Sequence, residues 1–301
     1  MLVQQSCRFI FLLILSLAFA GPGWAHSGLK EYSAVAPDGV VLAIQEAGNP
    51  DGPPVLFIHG LLGSHLNWEA QFADGALAKY RLISYDLRGH GKSDKPATEN
   101  AYRDGRIWAA DLAAVIQAAH AKGAILVGWS LGGVVISNYL AAYGDASIRG
   151  AVYVDGVVEL NAEQITSHPQ VYKDMISPDL KTHLDGERAF LALCFNSKPD
   201  EATFSRLLAN AAMASWPMQK AVQSMSVFAE QGLSRARIPL LFLYGGKDAL
   251  VRAEPAIARA RQLNPAIESI VYPESGHAPF IEEPIRFNAD LAAFLNKHAG
   301  R

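Results

Sequence analysis

Ser130 stands between Gly128 and Gly132 in Gly128-Trp129-Ser130-Leu131-Gly132, and the chain changes character across it. Ala124 to Val127 is an apolar, strand-like run, and Val134 to Tyr143 is an apolar, helix-like one. A serine at such a junction fits a nucleophile elbow, where a strand turns into a helix within a few residues and strains the central residue. Bulky side chains two positions away would collide; Gly128, Gly132 and Gly133 remove those collisions. The hydroxyl is then held clear of the backbone at a strand's carboxyl end, beside helix N–H groups suited to an oxyanion.

A neutral serine hydroxyl needs a base within hydrogen-bond reach and a third group to orient that base. Gly276-His277-Ala278-Pro279-Phe280 follows the strand-like run Ser269 to Tyr272, and Gly245-Gly246-Lys247-Asp248 follows Leu240 to Tyr244. Asp248 and His277 therefore sit past strand ends, where open α/β sheets bind their ligands. The order Ser130, Asp248, His277 is the one this architecture uses, with 118 residues (248 − 130) and then 29 (277 − 248) between them. Asp155, at the end of the run Ala151 to Val154, is a second acid at a neighbouring strand end and the alternative to Asp248.

The elements that would position these residues are legible as well. Tyr32 to Ala36 and Val40 to Glu46 flank the turn Pro37-Asp38-Gly39 and predict an antiparallel hairpin. From Pro54 on, short apolar runs at Val55–Ile58, Leu82–Tyr85, Ile125–Val127, Ala151–Val154, Leu240–Tyr244 and Ser269–Tyr272 alternate with helical segments. Those helices are expected at Asp104–His120, Leu131–Tyr143, Pro255–Leu263 and Pro284–His298, the last with a first-turn proline. Strands apolar on both faces, alternating with helices, predict an α/β fold: a mostly parallel, doubly wound sheet. About eighty residues, 157–237, interrupt the alternation late in the chain and carry helical spacing, which reads as an inserted helical cap. The expected core is then 26–156 together with 238–301. Met175, Leu191, Phe195, Phe204, Leu207, Leu208, Met213, Trp216, Met218, Met225 and Phe228 are expected mostly to pack the cap itself, with about a quarter reaching substrate.

Composition narrows the function classes. With 301 residues, half of them hydrophobic and 18% charged, the chain is globular. Phe9 to Ala20 is an apolar run behind Arg8, followed by Gly21-Pro22-Gly23, and it reads as a secretory signal peptide over 1–25. Its twelve residues are too few to span a bilayer. Cleavage would follow Ala20 or Ala25, giving an exported protein, periplasmic or secreted. Losing Arg8 moves the net charge from −3 to −4, and neither value suggests nucleic acid. Of two cysteines only Cys194 would be left, and neither a Cys/His metal signature nor H-E-x-x-H is present, so no metal or other cofactor is expected.

The chain resembles the α/β-hydrolase family, and within it the cofactor-free esterase, lactonase and non-haem haloperoxidase-like members. The blocks that carry the likeness, besides the elbow, are His59-Gly60-Leu61-Leu62-Gly63-Ser64, Asp86-Leu87-Arg88-Gly89-His90-Gly91-Lys92-Ser93, and Gly276-His277 with Glu282-Glu283-Pro284 behind it. The resemblance implies that Leu61 and Leu131 supply backbone N–H groups to an oxyanion hole. It also makes His59 and His90 structural, and Trp129, Leu62, Phe280 and Trp216 substrate-binding. Epoxide hydrolases and haloalkane dehalogenases of similar fold place an aspartate at the elbow, and Ser130 argues against their chemistry. The implied function is cleavage of a small-molecule ester or lactone through an acyl-enzyme. Cleavage of a C–C bond or an amide by the same triad, or binding without turnover, are the alternatives, because fold alone does not name the acyl compound. A membrane-surface role is left open and not favoured, and nothing in the sequence fixes the oligomeric state.

Overall fold

The computed structural model describes residues 29–300; the segment read as a signal peptide, with Cys7, lies outside the described residues. Eight strands form one sheet: β1 (Lys30–Val35), β2 (Val41–Gly48), β3 (Pro54–Ile58), β4 (Arg81–Tyr85), β5 (Ala124–Trp129), β6 (Ile148–Val154), β7 (Leu240–Gly245) and β8 (Glu268–Tyr272). Their spatial order is β1-β2-β4-β3-β5-β6-β7-β8. β1 runs antiparallel to β2, and β2 antiparallel to β4, whereas every pair from β4 to β8 is parallel. This is the expected mostly parallel sheet with an N-terminal hairpin.

The central strands are apolar on both faces because helices cover both. Val55 to Ile58 and all of β5 are buried. In chain order the helices are α1 (Glu69–Phe72), preceded by the 3₁₀ turn His65–Trp68, then α2 (Asn100–Arg103), α3 (Gly105–Ala118) and α4 (Leu131–Tyr143). Between β6 and β7 stand α5 (Pro169–Met175), α6 (Leu180–Leu193), α7 (Glu201–Ala211), α8 (Trp216–Val222) and α9 (Ala229–Arg235). The chain ends with α10 (Ala253–Leu263), α11 (Pro279–Glu282) and α12 (Pro284–His298). Asp104, Asp179 and Asp200 cap α3, α6 and α7 by accepting from backbone N–H groups in the first turn, which satisfies donors that a helix start leaves unpaired.

One boundary departs from expectation for a local reason. β6 begins at Ile148, three residues before the apolar run, because Ala124 pairs with Ile148 and Ile125 with Gly150, and Arg149 is bulged out. A charged residue and a glycine hide that stretch from an apolar-run reading.

Hydrogen bonds, most of them between main chains, lash the helical insertion to loops beyond the sheet's strands. Its first loop pairs with the loop after β7: Ile165 bridges Val251, Thr166 N–H donates to Leu250 O at 2.9 Å, and Arg252 N–H donates to Gln164 O at 2.7 Å. Ser215 N–H donates to Gly89 O at 2.8 Å, and the Asn210 amide donates to Leu62 O at 3.1 Å. Among the described residues no helix is long and apolar enough to cross a membrane.

Candidate active site

The turn from β5 into α4 passes through Ser130 at φ 51°, ψ −111°. Its N–H donates to Val154 O at 2.9 Å, and its carbonyl accepts from Gly133 N–H at 2.9 Å and Val157 N–H at 3.2 Å. The turn is too tight for side chains at its flanks. A Cβ on Gly128 would lie 2.6 Å from Gly132 O, and one on Gly132 would lie 2.4 Å from Ile58 O.

Strain gathers at this edge of the sheet. Among the described residues four other than glycine have positive φ: Leu62, His120, Ser130 and Asp155. Three of these stand just past the carboxyl ends of β3, β5 and β6. Each such residue costs on the order of 1–3 kcal/mol and persists only where its surroundings hold it, as functional sites do.

Asp248, past β7, and His277, past β8, are brought together. Asp248 Oδ2 accepts from His277 Nδ1 at 2.7 Å, with each side chain 1% exposed. Asp248 Oδ1 accepts from the N–H groups of Leu250 at 2.7 Å and Val251 at 3.0 Å, so its carboxylate is fixed by its own loop. A proton held on Nδ1 leaves Nε2 of the neutral ring as the acceptor, the tautomer a general base requires. The Trp129 indole ties this pair to the elbow: Nε1 donates to His277 O at 2.7 Å, and the two rings lie 5.6 Å apart.

Beneath the site two histidines are committed to the main chain. His59 donates from Nδ1 to Gly60 O at 2.8 Å and accepts at Nε2 from Leu87 N–H at 2.9 Å. His90 donates from Nδ1 to Arg88 O at 3.0 Å and accepts at Nε2 from Leu62 N–H at 3.3 Å. Burial lowers them to about 4 and about 3, so both are neutral props of the loops after β3 and β4. Asp86 holds the same turn by accepting from His65 and from Lys92 N–H. Arg88, fully buried, forks onto Asp111 at 2.6 Å and onto Asp38 at 2.9 Å, which fastens the β4 loop to α3 and to the hairpin turn.

A cavity of about 400 Å³ opens over Ser130, Leu61 and Leu131. Val157, Leu160 and Ile165 from the loop after β6, and Tyr172, Phe190, Val222 and Met225 from the helical insertion, make most of the wall apolar. Met225 is the one residue of the expected cap core that lines it. Sequence reasoning missed the others: α5 and α6 give no marker separating a residue that faces ligand from one that faces a neighbouring helix.

The four residues expected to touch substrate lie elsewhere. Trp129 and Leu62 are buried beside the elbow, and Phe280 is packed among Trp68, Trp129 and Phe287. Trp216 is 40% exposed on α8, and its indole donates to His183. None of the four lines this cavity.

Residues 53–284 match the alpha/beta hydrolase fold family. The non-heme chloroperoxidase of Streptomyces lividans is 29% identical over 277 residues, 86% of this chain and 97% of that protein. The bifunctional esterase/perhydrolase DCH of Acinetobacter calcoaceticus is 26% identical over 86% of this chain and 97% of its own length. Among solved structures, a Burkholderia cenocepacia protein assigned as an aryl esterase is 65% identical with a TM-score of 0.88, covering 89% of this chain and 98% of that one. The esterase RhEst1 from Rhodococcus sp. ECU1013 is 31% identical with a TM-score of 0.82, over 88% of this chain and 98% of its own.

Proposed function

The chain belongs to the alpha/beta hydrolase fold family, and on that premise we propose that it is an exported serine esterase, cleaving a small carboxylic ester or lactone through an acyl-enzyme. The observation that carries this reading is the 2.7 Å bond between Asp248 and His277 at the sheet edge where strained Ser130 lines a cavity. Ser130 Oγ attacks the carbonyl carbon while His277 Nε2 takes its proton. Leu61 and Leu131 N–H groups hold the oxyanion, a contribution whose loss lowers the rate on the order of a hundredfold or more. His277 returns the proton to the leaving alcohol, Asp248 stabilises the imidazolium, and water activated by the same imidazole releases the acid.

The apolar wall favours a substrate with an apolar acyl or aryl group, since burying such a group contributes roughly 25 cal/mol per Å². The similarity to proteins described as esterases supports the ester over other acyl compounds. The five helices between β6 and β7 serve as the cap that closes over it.

The test expresses the full chain, recovers it from the envelope or medium, and labels it with a fluorophosphonate. A single adduct on Ser130, in a chain starting at Gly21 or His26, is the expected mass-spectrometric result. Ser130→Ala, folded and unlabelled, should lose turnover of short p-nitrophenyl esters by at least about a thousandfold. Retained turnover in that variant rules out the serine mechanism.

A further inference from the structure

Asp155 is a carboxyl group beside the Asp248–His277 pair that the reaction scheme leaves unused. It follows β6 at φ 43°, and its side chain is fully buried. Oδ1 accepts from Gly245 N–H at 2.7 Å, which fixes the plane of the group. Oδ2 is buried and accepts nothing. One oxygen of Asp155, one of Asp248 and a ring nitrogen of His277 all lie within 4.8 Å of one another.

Among the described residues, the groups that act most strongly on Asp155 bring it no positive charge. Facing it are Asp248 from the loop after β7, Tyr244 from β7, Cys194 from the end of α6 and Glu282 from α11. Tyr244 spends its hydroxyl proton on Gly156 O, and Glu282 accepts from the N–H groups of Ser197 and Gly276. His277, the nearest group able to carry positive charge, has its Nδ1 proton engaged by Asp248. Burial first, and then the Asp248 charge, push the Asp155 carboxyl well above the ordinary carboxylate range.

We propose that Asp155 carries a proton at working pH and donates it to Asp248, acting as a positioning residue for the triad acid. The proposal rests on the triad reading given above. Two adjacent buried carboxylates share a proton more cheaply than they repel. Asp248 has room for the bond: a carboxylate offers about four lone-pair sites, and Leu250, Val251 and His277 occupy three. Donation by Asp155 fills the fourth, and it gives the buried Asp155 Oδ2 a partner. With four donors the Asp248 carboxylate cannot rotate away from His277. The fourth bond also draws negative charge off the Asp248 carboxylate, which weakens its hold on an imidazolium.

Asp155→Asn and Asp155→Leu separate this from a structural role. Asparagine keeps an acceptor for Gly245 N–H and an N–H donor for Asp248, whereas leucine keeps neither. The readout is the acid limb of kcat/KM against pH for p-nitrophenyl acetate. Asp155→Asn should stay within about 0.3 pH unit of the wild type, and Asp155→Leu should move the limb up by about one unit with kcat down roughly tenfold at unchanged KM. Most of that lost rate should return in Asp155→Asn.

Were Asp155 ionised, asparagine would delete a negative charge within 4.8 Å of the His277 ring nitrogen, and the limb would fall by about two units. That fall overturns the proposal, as does an unmoved limb in a folded Asp155→Leu. An infrared difference spectrum of the wild type against Asp155→Asn at pH 7 decides the matter should the leucine variant not fold. A protonated carboxylic C=O band lost in Asp155→Asn is expected, and its absence from the wild type overturns the proposal. Because that band needs no turnover, it reports on Asp155 even where Ser130→Ala has already overturned the triad reading.

Discussion

Gly132→Ala should damage catalysis as well as the fold. The added Cβ would stand 2.4 Å from Ile58 O, 3.1 Å from Ile58 C and 3.2 Å from His59 O, all of them main chain. Ordinary contact begins at 3.4 Å, so the start of α4 and the end of β3 must separate by 3.4 − 2.4 = 1.0 Å. No rotamer relieves this, because β3 is hydrogen-bonded on both sides and α4 is buried from Leu131 to Leu140. Ser130 rides on one side of the widened gap and Leu61 on the other. A misplacement near 1 Å in a reacting constellation costs about a hundredfold in rate. Overpacking of this kind costs about 1–3 kcal/mol, which is a few degrees to about ten in Tm for a domain of this size. The assay is kcat/KM on p-nitrophenyl esters beside a thermal melt, with Gly75→Ala as control because its Cβ would meet nothing within 4 Å. Gly132→Ala within threefold of the wild type, at an unchanged Tm, would refute the claim that the β3–α4 approach sets the site.

Two further outcomes test the groups that support the site. Arg88→Met strips the buried Asp111 carboxyl of its partner, so that it must either stay ionised without one or take up a proton, and should destabilise the fold by about 3–5 kcal/mol in urea unfolding; a loss under about 1 kcal/mol would contradict the role given to the ion pair. Glu187 on α6 accepts from Gln219 at 2.8 Å through one oxygen while the other is unpaired, and burial raises it from 4.5 to about 7. Between those values the folded chain holds a proton that the unfolded chain has released, so stability falls as pH rises through the window and is level above it. Glu187→Gln should therefore melt above the wild type at pH 8, with the gap closing toward pH 4; parallel curves would count against it.

The fold was legible because its strands are short, continuous and apolar. Val55 to Ile58 and Leu240 to Tyr244 have polar or glycine-rich flanks, and burial on both faces leaves them no polar alternation to confuse with a helix. Leu131–Tyr143 and Pro284–His298 agree with α4 and α12 end to end, one starting at the elbow and the other at a first-turn proline. β6 was read short because Arg149 sits in a bulge, a feature set by pairing with Ala124 and Ile125 and carried by no local pattern.

At the site, what sequence could supply was the set of groups anchored by their own loops. Asp248 is fixed by Leu250 and Val251, two and three residues ahead, and Ser130 by glycines two residues either side. Local constraints of that kind leave local motifs. The cavity wall has no such mark, because Tyr172, Phe190 and Val222 are placed by how α5, α6 and α8 stack across the sheet edge. The same reasoning explains Trp216, conspicuous in sequence yet turned toward His183. Asp155 falls between the two cases. Its position after β6 marked it as a rival acid, but only the pairing of β6 with β7 shows that Gly245 claims one of its oxygens and that Asp248 has taken the imidazole. Two carboxyl groups at neighbouring strand ends therefore need not compete for one histidine: on the proposed mechanism the one bonded to the ring serves as the acid, and the one bonded to backbone holds a proton for it.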